Sequence, residues 1–256
     1  AALPPRHGVG QPVRMCKACS DYSTKLKESL SWEDDLRLRM EAVQANVIFE
    51  TTVDAEKDGW TYWTEQNDVD VWTKDFSGNP VRGVRGRGMV DAPAAEVIHL
   101  LKGTTYQKAL DSNIEEIVAV SSENGIEISH LVVGGVPIMS KRDMCTAKMV
   151  QAHPHEPDTT VVTTLSVDHP DVVPENGHVR SWIHMSAYVV RPVDGRCEVT
   201  YVLQMDPCGW VPMFVVNAIA SKRAMVIHEL RNLIQAERGA SAPSSDKPEE
   251  VVRATG

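Results

Sequence analysis

No run of apolar residues in this chain is long enough to cross a bilayer as a helix. The apolar stretch 131–139 is interrupted by Gly134, Gly135 and Pro137 and falls far short of the ~20 residues that a spanning helix needs. Positive charge is also short, with 26 Lys and Arg against 35 Asp and Glu and a formal net charge of −9. That balance gives no global field to draw in nucleic acid or anionic lipid, so any such contact needs a local patch. Cysteine is sparse and odd in number: Cys16, Cys19, Cys145, Cys197 and Cys208 do not make a disulfide framework and suit reduced thiols in the cytosol. The opening residues, Ala1-Ala2-Leu3-Pro4-Pro5-Arg6-His7, lack an apolar core of signal-peptide length, and a cytoplasmic protein is expected. Several catalytic signatures are missing too: there is no nucleophile elbow, no phosphate-cradling glycine loop and no HExxH.

What is present is ordinary globular composition. The chain has 256 residues, 42% apolar and 24% charged, with 16 Gly and 15 Pro, enough for a sizeable core in one large or two small domains. Residues 1–30 carry Pro4, Pro5, Gly8, Gly10 and Pro12 without sustained periodicity and read as a loosely ordered lead-in. From Ser31 onward Leu36, Met40, Val43, Val47 and Ile48 recur at helical spacing. With Asp34 and Asp35 in the first turn, this predicts an amphipathic helix to about Thr52. Alternation around Trp60, Tyr62, Val69 and Val71, then over 81–90, predicts three strands. Asp91-Ala92-Pro93 opens a short helix ended by Gly103, and a helical turn follows over 105–110. Six further strands are expected at 116–121, 126–133, 143–151, 159–167, 178–191 and 196–205, too many in succession for alternating βαβ units. Pro212 then opens a long helix with Met213, Val216, Ala220, Ile227, Leu230 and Ile234 on one stripe. The tail from 239 is compositionally disordered. The fold class is therefore α+β: one antiparallel sheet gripping a long C-terminal helix, over residues 31–238.

Three strings give this order of elements a family resemblance. Gly86-Arg87-Gly88-Met89-Val90-Asp91-Ala92-Pro93 resembles a strand-to-helix junction of the START domain, the steroidogenic-acute-regulatory-protein-related lipid-transfer family. Val136-Pro137-Ile138-Met139-Ser140-Lys141-Arg142-Asp143 resembles its loop and the Arg-Asp pair opening a strand. The most specific string is Val199-Thr200-Tyr201-Val202-Leu203-Gln204-Met205-Asp206-Pro207-Cys208-Gly209-Trp210-Val211-Pro212. The resemblance covers roughly residues 32–236 and looks nearest to the phosphatidylcholine-transfer and ceramide-transfer branches. It implies a helix-grip fold, a curved antiparallel sheet wrapped around the C-terminal helix and enclosing a hydrophobic tunnel for one lipid. The partners implied are a sterol, ceramide or phospholipid and, transiently, a membrane surface. Nucleic acid and cofactors are not implied, and a monomer without enzymatic activity is expected.

Site residues follow from the resemblance and from strand alternation. Alternation puts Met144, Thr146 and Lys148 on one face and Cys145, Ala147 and Met149 on the other. In the family the position of Lys148 faces the cavity, where an ammonium could hold a headgroup; a solvated outer lysine is the alternative. His184 and Tyr201 match polar cavity positions, or else serve hydrogen bonds within the sheet. Ser129 and Leu131 belong to the facing strand, and Val216, Ala220 and Ile227 of the helix stripe serve as tunnel wall or plain core. Trp210, with Val211 and Met213, makes a lid and membrane contact, or else Trp210 packs beneath the helix. Arg142-Asp143 reads as a structural ion pair, and Arg82, Arg85 and Arg87 as an edge or outer face. Cys16-Lys17-Ala18-Cys19 supplies half of a zinc site at most, and His153-Pro154-His155 reads as a solvated turn. Two other functions stay open: a lipid sensor that binds without exchanging, and a helix-grip enzyme using His184 or Cys145.

Overall fold

A computed structural model describes residues 31–52, 59–76, 81–134, 140–174, 176–211 and 222–241. Ser31 caps helix α1 (Trp32–Thr52): its hydroxyl accepts the Asp34 N–H at 3.1 Å and donates to the Asp34 carboxylate at 3.0 Å. The acidic first turn, Glu33, Asp34 and Asp35, suits the positive end of the helix dipole. At the other end, the Arg85 guanidinium donates to the carbonyls of Glu50 and Thr51.

Among the described residues, ten strands follow or frame three more helices. They are β1 (Thr61–Gln66), β2 (Val69–Lys74), β3 (Gly83–Val90), β4 (Ile114–Glu123), β5 (Ile126–Val133), β6 (Arg142–Ala152), β7 (Thr160–Ser166), β8 (Val179–Arg180), β9 (Trp182–Val193) and β10 (Arg196–Asp206). The helices are α2 (Ala94–Leu101), α3 (Gln107–Leu110) and α4 (Val226–Ser241). One sheet holds them in the order β1-β2-β3-β10-β9-β7-β6-β5-β4, antiparallel throughout except that β8 pairs with β6 in parallel. The sheet is open, with β1 and β4 as its edges. Two-residue turns with positive φ at Asn67-Asp68, Asn124-Gly125 and Asp194-Gly195 set three of the hairpins. The single strand expected at 178–191 is two, because the Ser181 N–H bonds to Asp143 and its hydroxyl to the Pro207 carbonyl, where the chain passes from one pairing to the next.

Each face of the sheet has its own cover. On the outer face α1 sets Leu36 and Met40 against Ile126, Ile128, Cys145, Ala147, Met149 and Leu165, and Val47 against Val161, Ala187, Val189 and Val202. On the inner face Ala224, Ile227, Leu230 and Ile234 of the C-terminal helical region meet Val84, Val90, Val162, Val190, Val199, Tyr201 and Leu203, with Val97, Leu100 and Leu101 of α2 beside them. Close approach is possible because Gly86 and Gly88 face α4. A Cβ at Gly86 would lie 3.1 Å from the Ala224 carbonyl oxygen, and one at Gly88 would lie 2.6 Å from an Arg231 nitrogen. The alternation of Gly and Arg along β3 thus serves two faces, with glycine under the helix and arginine outside.

Candidate functional site

The inner face is apolar at the C-terminal helix and polar beside it. Pairing register aligns four polar side chains in one row across four strands: Glu127 opposite Lys148, Lys148 opposite Thr164, and Thr164 opposite Ser186. A second row sets Ser129 opposite Thr146 and Thr146 opposite Ser166. Leu131, buried opposite Met144, continues the face toward the end of β5. Tyr201 lies in the core beneath α4, its ring 4.7 Å from that of Tyr188. Expected site residues Lys148, Tyr201, Thr146, Ser129 and Leu131 are therefore brought to one face, and Ile227 covers it from the helix. Glu127, Thr164, Ser166, Ser186 and Tyr188 join them. Alternation within their own strands carried that signal, but the choice of neighbouring strand did not.

Electrostatics divides the row into a charged end and a neutral end. Burial lowers the Lys148 pKa from 10.5 to about 8, opposed by Glu127. Its ammonium donates to the carbonyls of Gly103 at 2.8 Å and Leu101 at 3.4 Å, at the end of α2. The Glu127 carboxylate accepts the Ser129 hydroxyl at 3.2 Å, and the Thr146 hydroxyl donates to the Ser129 carbonyl at 3.4 Å. At the other end burial pushes the Tyr201 phenol up to about 12, against a hydrogen bond with Ser186, and pushes Tyr188 well above its ordinary value. Both phenols are neutral at physiological pH and suited to hydrogen-bond exchange rather than proton transfer.

Other expected residues lie elsewhere. His184 is the extra residue of a β-bulge, since Met185 pairs with Gln204 and Ile183 with Met205. It is half-buried, and burial lowers its pKa against the pull of Asp206. Trp210 is 80% exposed, so it does not pack beneath the helix, and Val211 beside it is half-buried. Met213, Val216 and Ala220 lie outside the described residues, as do Pro212 and the Cys16-x-x-Cys19 pair. Cys145 points to the outer face under α1, where burial raises its thiol to about 11, which removes it as a nucleophile for the inner face.

Two sequence expectations need correction, and a third is narrowed. Arg142 and Asp143 do not pair with each other, because adjacent residues of a strand point to opposite faces. Asp143 binds Arg180 at 2.7 Å and His130 at 3.1 Å, whereas Arg142 donates to the carbonyls of Ser140, Pro207 and Cys208 and so ties β6 to the turn before Trp210. Arg85 takes the outer face of the two places expected for it, and it is buried there, because β3 lies between β2 and β10 and the end of α1 covers it. His153 is buried, not solvated, and its Nδ1 accepts the N–H groups of His155 and Glu156.

The C-terminal helix is held over this face by arginines. Arg223, just before α4, pairs with Asp111, and burial lowers its pKa to about 10. Arg231 donates to the carbonyls of Met89, Asn67 and Asp68, and Arg238 to Glu96 and the Asp91 carbonyl. Together, sheet, helix and polar rows define an antiparallel sheet that grips one helix over a face set with a few hydrogen-bonding groups.

That class has a family. The chain belongs to the START family, whose START domain matches residues 40–237. It is similar to ceramide transfer protein of Xenopus laevis, 26% identical over 224 residues, covering 76% of this chain and 35% of that one. It is also similar to human START domain-containing protein 10, 25% identical over 195 residues, covering 75% of this chain and 63% of that one. Among solved structures, human StAR-related lipid transfer protein 5 superposes with a TM-score of 0.72 at 21% identity, covering 79% of this chain and 97% of that one. The chain thus spans about a third of the ceramide transfer protein it matches. Among the described residues no helix is long and apolar enough to cross a membrane.

Proposed function

We propose that this chain encloses one lipid molecule in a hydrophobic tunnel between the inner face of the sheet and the C-terminal helix, and carries it between membranes without converting it. The observation that supports this most is the pair of polar rows on an otherwise apolar, helix-covered face in a START chain. Exposing acyl chains to water costs roughly 0.8 kcal/mol per CH₂, so a 16-carbon chain carries on the order of 12 kcal/mol, which only a dry cavity offsets. Lys148, Tyr201, Ser129 and Thr146 orient the polar head, with Leu131 and Ile227 along the tails and His184 nearer the end that carries Trp210. The relatives named ceramide transfer protein make ceramide the first lipid to test, because its hydroxyls and amide suit neutral donors and acceptors such as Tyr201, Ser186 and Thr164. The protein acts in the cytoplasm as a single chain, and Trp210 with Val211 and Met213 touches the membrane during exchange.

The experiment is native mass spectrometry of the purified protein, followed by lipid extraction and identification. One lipid per chain is expected, retained about tenfold less well in Lys148→Ala and Tyr201→Phe, each of which removes a hydrogen bond of roughly 1–2 kcal/mol. If no lipid co-purifies and none is taken up from mixed vesicles, the proposal fails. Stoichiometric uptake without exchange between vesicles instead identifies a lipid sensor.

A further inference from the structure

A groove of about 340 Å³ lies away from the inner face, where the first turn of α1 meets the β4–β5 hairpin and the loop between β7 and β8. Its floor is apolar, formed by Leu36, Ile126 and Ile128. Trp32 makes one wall: its ring packs edge-on to His169 at 5.1 Å and its indole N–H donates to the Asp168 carbonyl. The rim carries the exposed carboxylates Glu33, Asp34, Glu123 and Asp171. Among the described residues that line it, the one Lys or Arg is Arg37, which donates to the Asn124 carbonyl at 3.2 Å. The lipid site proposed above has no use for this groove, which is on the α1 side of the sheet.

We propose that this groove is the docking site of the chain's own lead-in, residues 14–30. Charge and chain order both favour this occupant. The chain as a whole is acidic at −9, yet its first thirty residues hold five cations, Arg6, Arg14, Lys17, Lys25 and Lys27, against Asp21 and Glu28. The segment that adjoins α1 alternates the two characters the groove asks for: Lys25 and Lys27 for the rim, and Tyr22, Leu26 and Leu30 for the floor. Reach is not a barrier. Lys25 is separated from Trp32 by a stretch that spans up to about 20 Å when extended, and Trp32 is itself a wall of the groove. Tethering supplies the rest, because a short connection holds a segment at an effective concentration on the order of 1 mM. A contact too weak to survive between separate molecules is then occupied most of the time. A basic segment of another protein would have to displace the lead-in to bind there.

The test uses the full chain. Equal amounts of light and ¹⁵N-labelled protein are mixed and treated with a carbodiimide, which joins lysine to carboxylate without a spacer, and cross-linked peptides are read by mass spectrometry. Cross-links from Lys25 or Lys27 to Glu123 or Asp171 within one isotope are expected, with yield falling about fivefold or more from 0.05 to 0.5 M salt as screening shortens. In parallel, Lys25→Glu with Lys27→Glu should speed amide hydrogen exchange over residues 120–126. Adding Glu123→Lys with Asp171→Lys should restore the wild-type rate, an outcome that general destabilisation would not give. The proposal is overturned if no such cross-links form, if they join only light to heavy chains, which identifies a second copy as the occupant, or if the charge swap leaves exchange unrestored.

Discussion

Lys148 carries a charge that its surroundings disfavour, and that cost has a readable pH dependence. Its pKa is lowered from 10.5 to about 8 by burial. Between those values the unfolded chain holds a proton that the native chain has released, so stability rises with pH across that window. Below about pH 8 both states are charged and the cost is constant. Urea unfolding from pH 7 to 10.5 should therefore show wild type gaining on the order of 1–3 kcal/mol relative to Lys148→Met. Parallel profiles would place the ammonium in water instead. The same residue reports the lipid class. An anionic headgroup restores the charge, so binding at pH 9 takes up a proton, visible as a buffer-dependent enthalpy; a neutral lipid such as ceramide takes up none.

At the scale of elements, the join between β3 and the C-terminal helix depends on missing side chains. A Cβ at Gly86 meets both the carbonyl oxygen and the Cβ of Ala224, at 3.1 and 3.3 Å, so Gly86→Val must push the helix from the sheet. A loss of about 1–3 kcal/mol is expected by thermal unfolding. Gly239 in α4 has nothing within 4 Å of its added Cβ, and Gly239→Ala should stabilise by roughly 0.5–1 kcal/mol through helix propensity alone. Opposite signs at two glycines would separate helix seating from helix formation. Arg231 works on the same join: it satisfies three carbonyls on other elements, and Arg231→Met should cost about 1–3 kcal/mol.

For the molecule as a whole, binding and delivery are separable properties. The polar rows lie on the inner face beside α4, whereas Trp210 is 80% exposed beyond the end of β10, at a turn that Arg142 holds through the Pro207 and Cys208 carbonyls. An indole that enters a bilayer contributes on the order of 1–2 kcal/mol, close to a factor of ten. Trp210→Ala should therefore slow lipid transfer between vesicles about tenfold while leaving lipid retention in native mass spectrometry unchanged. Equal losses in both assays would put Trp210 in the binding site instead.

Local chemistry in the sequence settled the order of elements. The Ser31 cap, the Asn124-Gly125 and Asp194-Gly195 turns, and the split of Thr146 and Lys148 from Cys145 and Ala147 all depend on neighbours within a few residues. The three strings that resemble START are likewise local in the sequence. Tertiary structure alone decided which polar groups stand beside Lys148. Alternation gives Glu127, Thr164 and Ser186 a face, but only pairing between strands far apart in the chain gives them a common row. The same limit explains Arg142 and Asp143, adjacent in sequence and bound to different partners, and Arg85, whose purpose is the end of a helix some thirty-five residues earlier. Periodicity records which way a side chain points, and long-range pairing determines what it meets there.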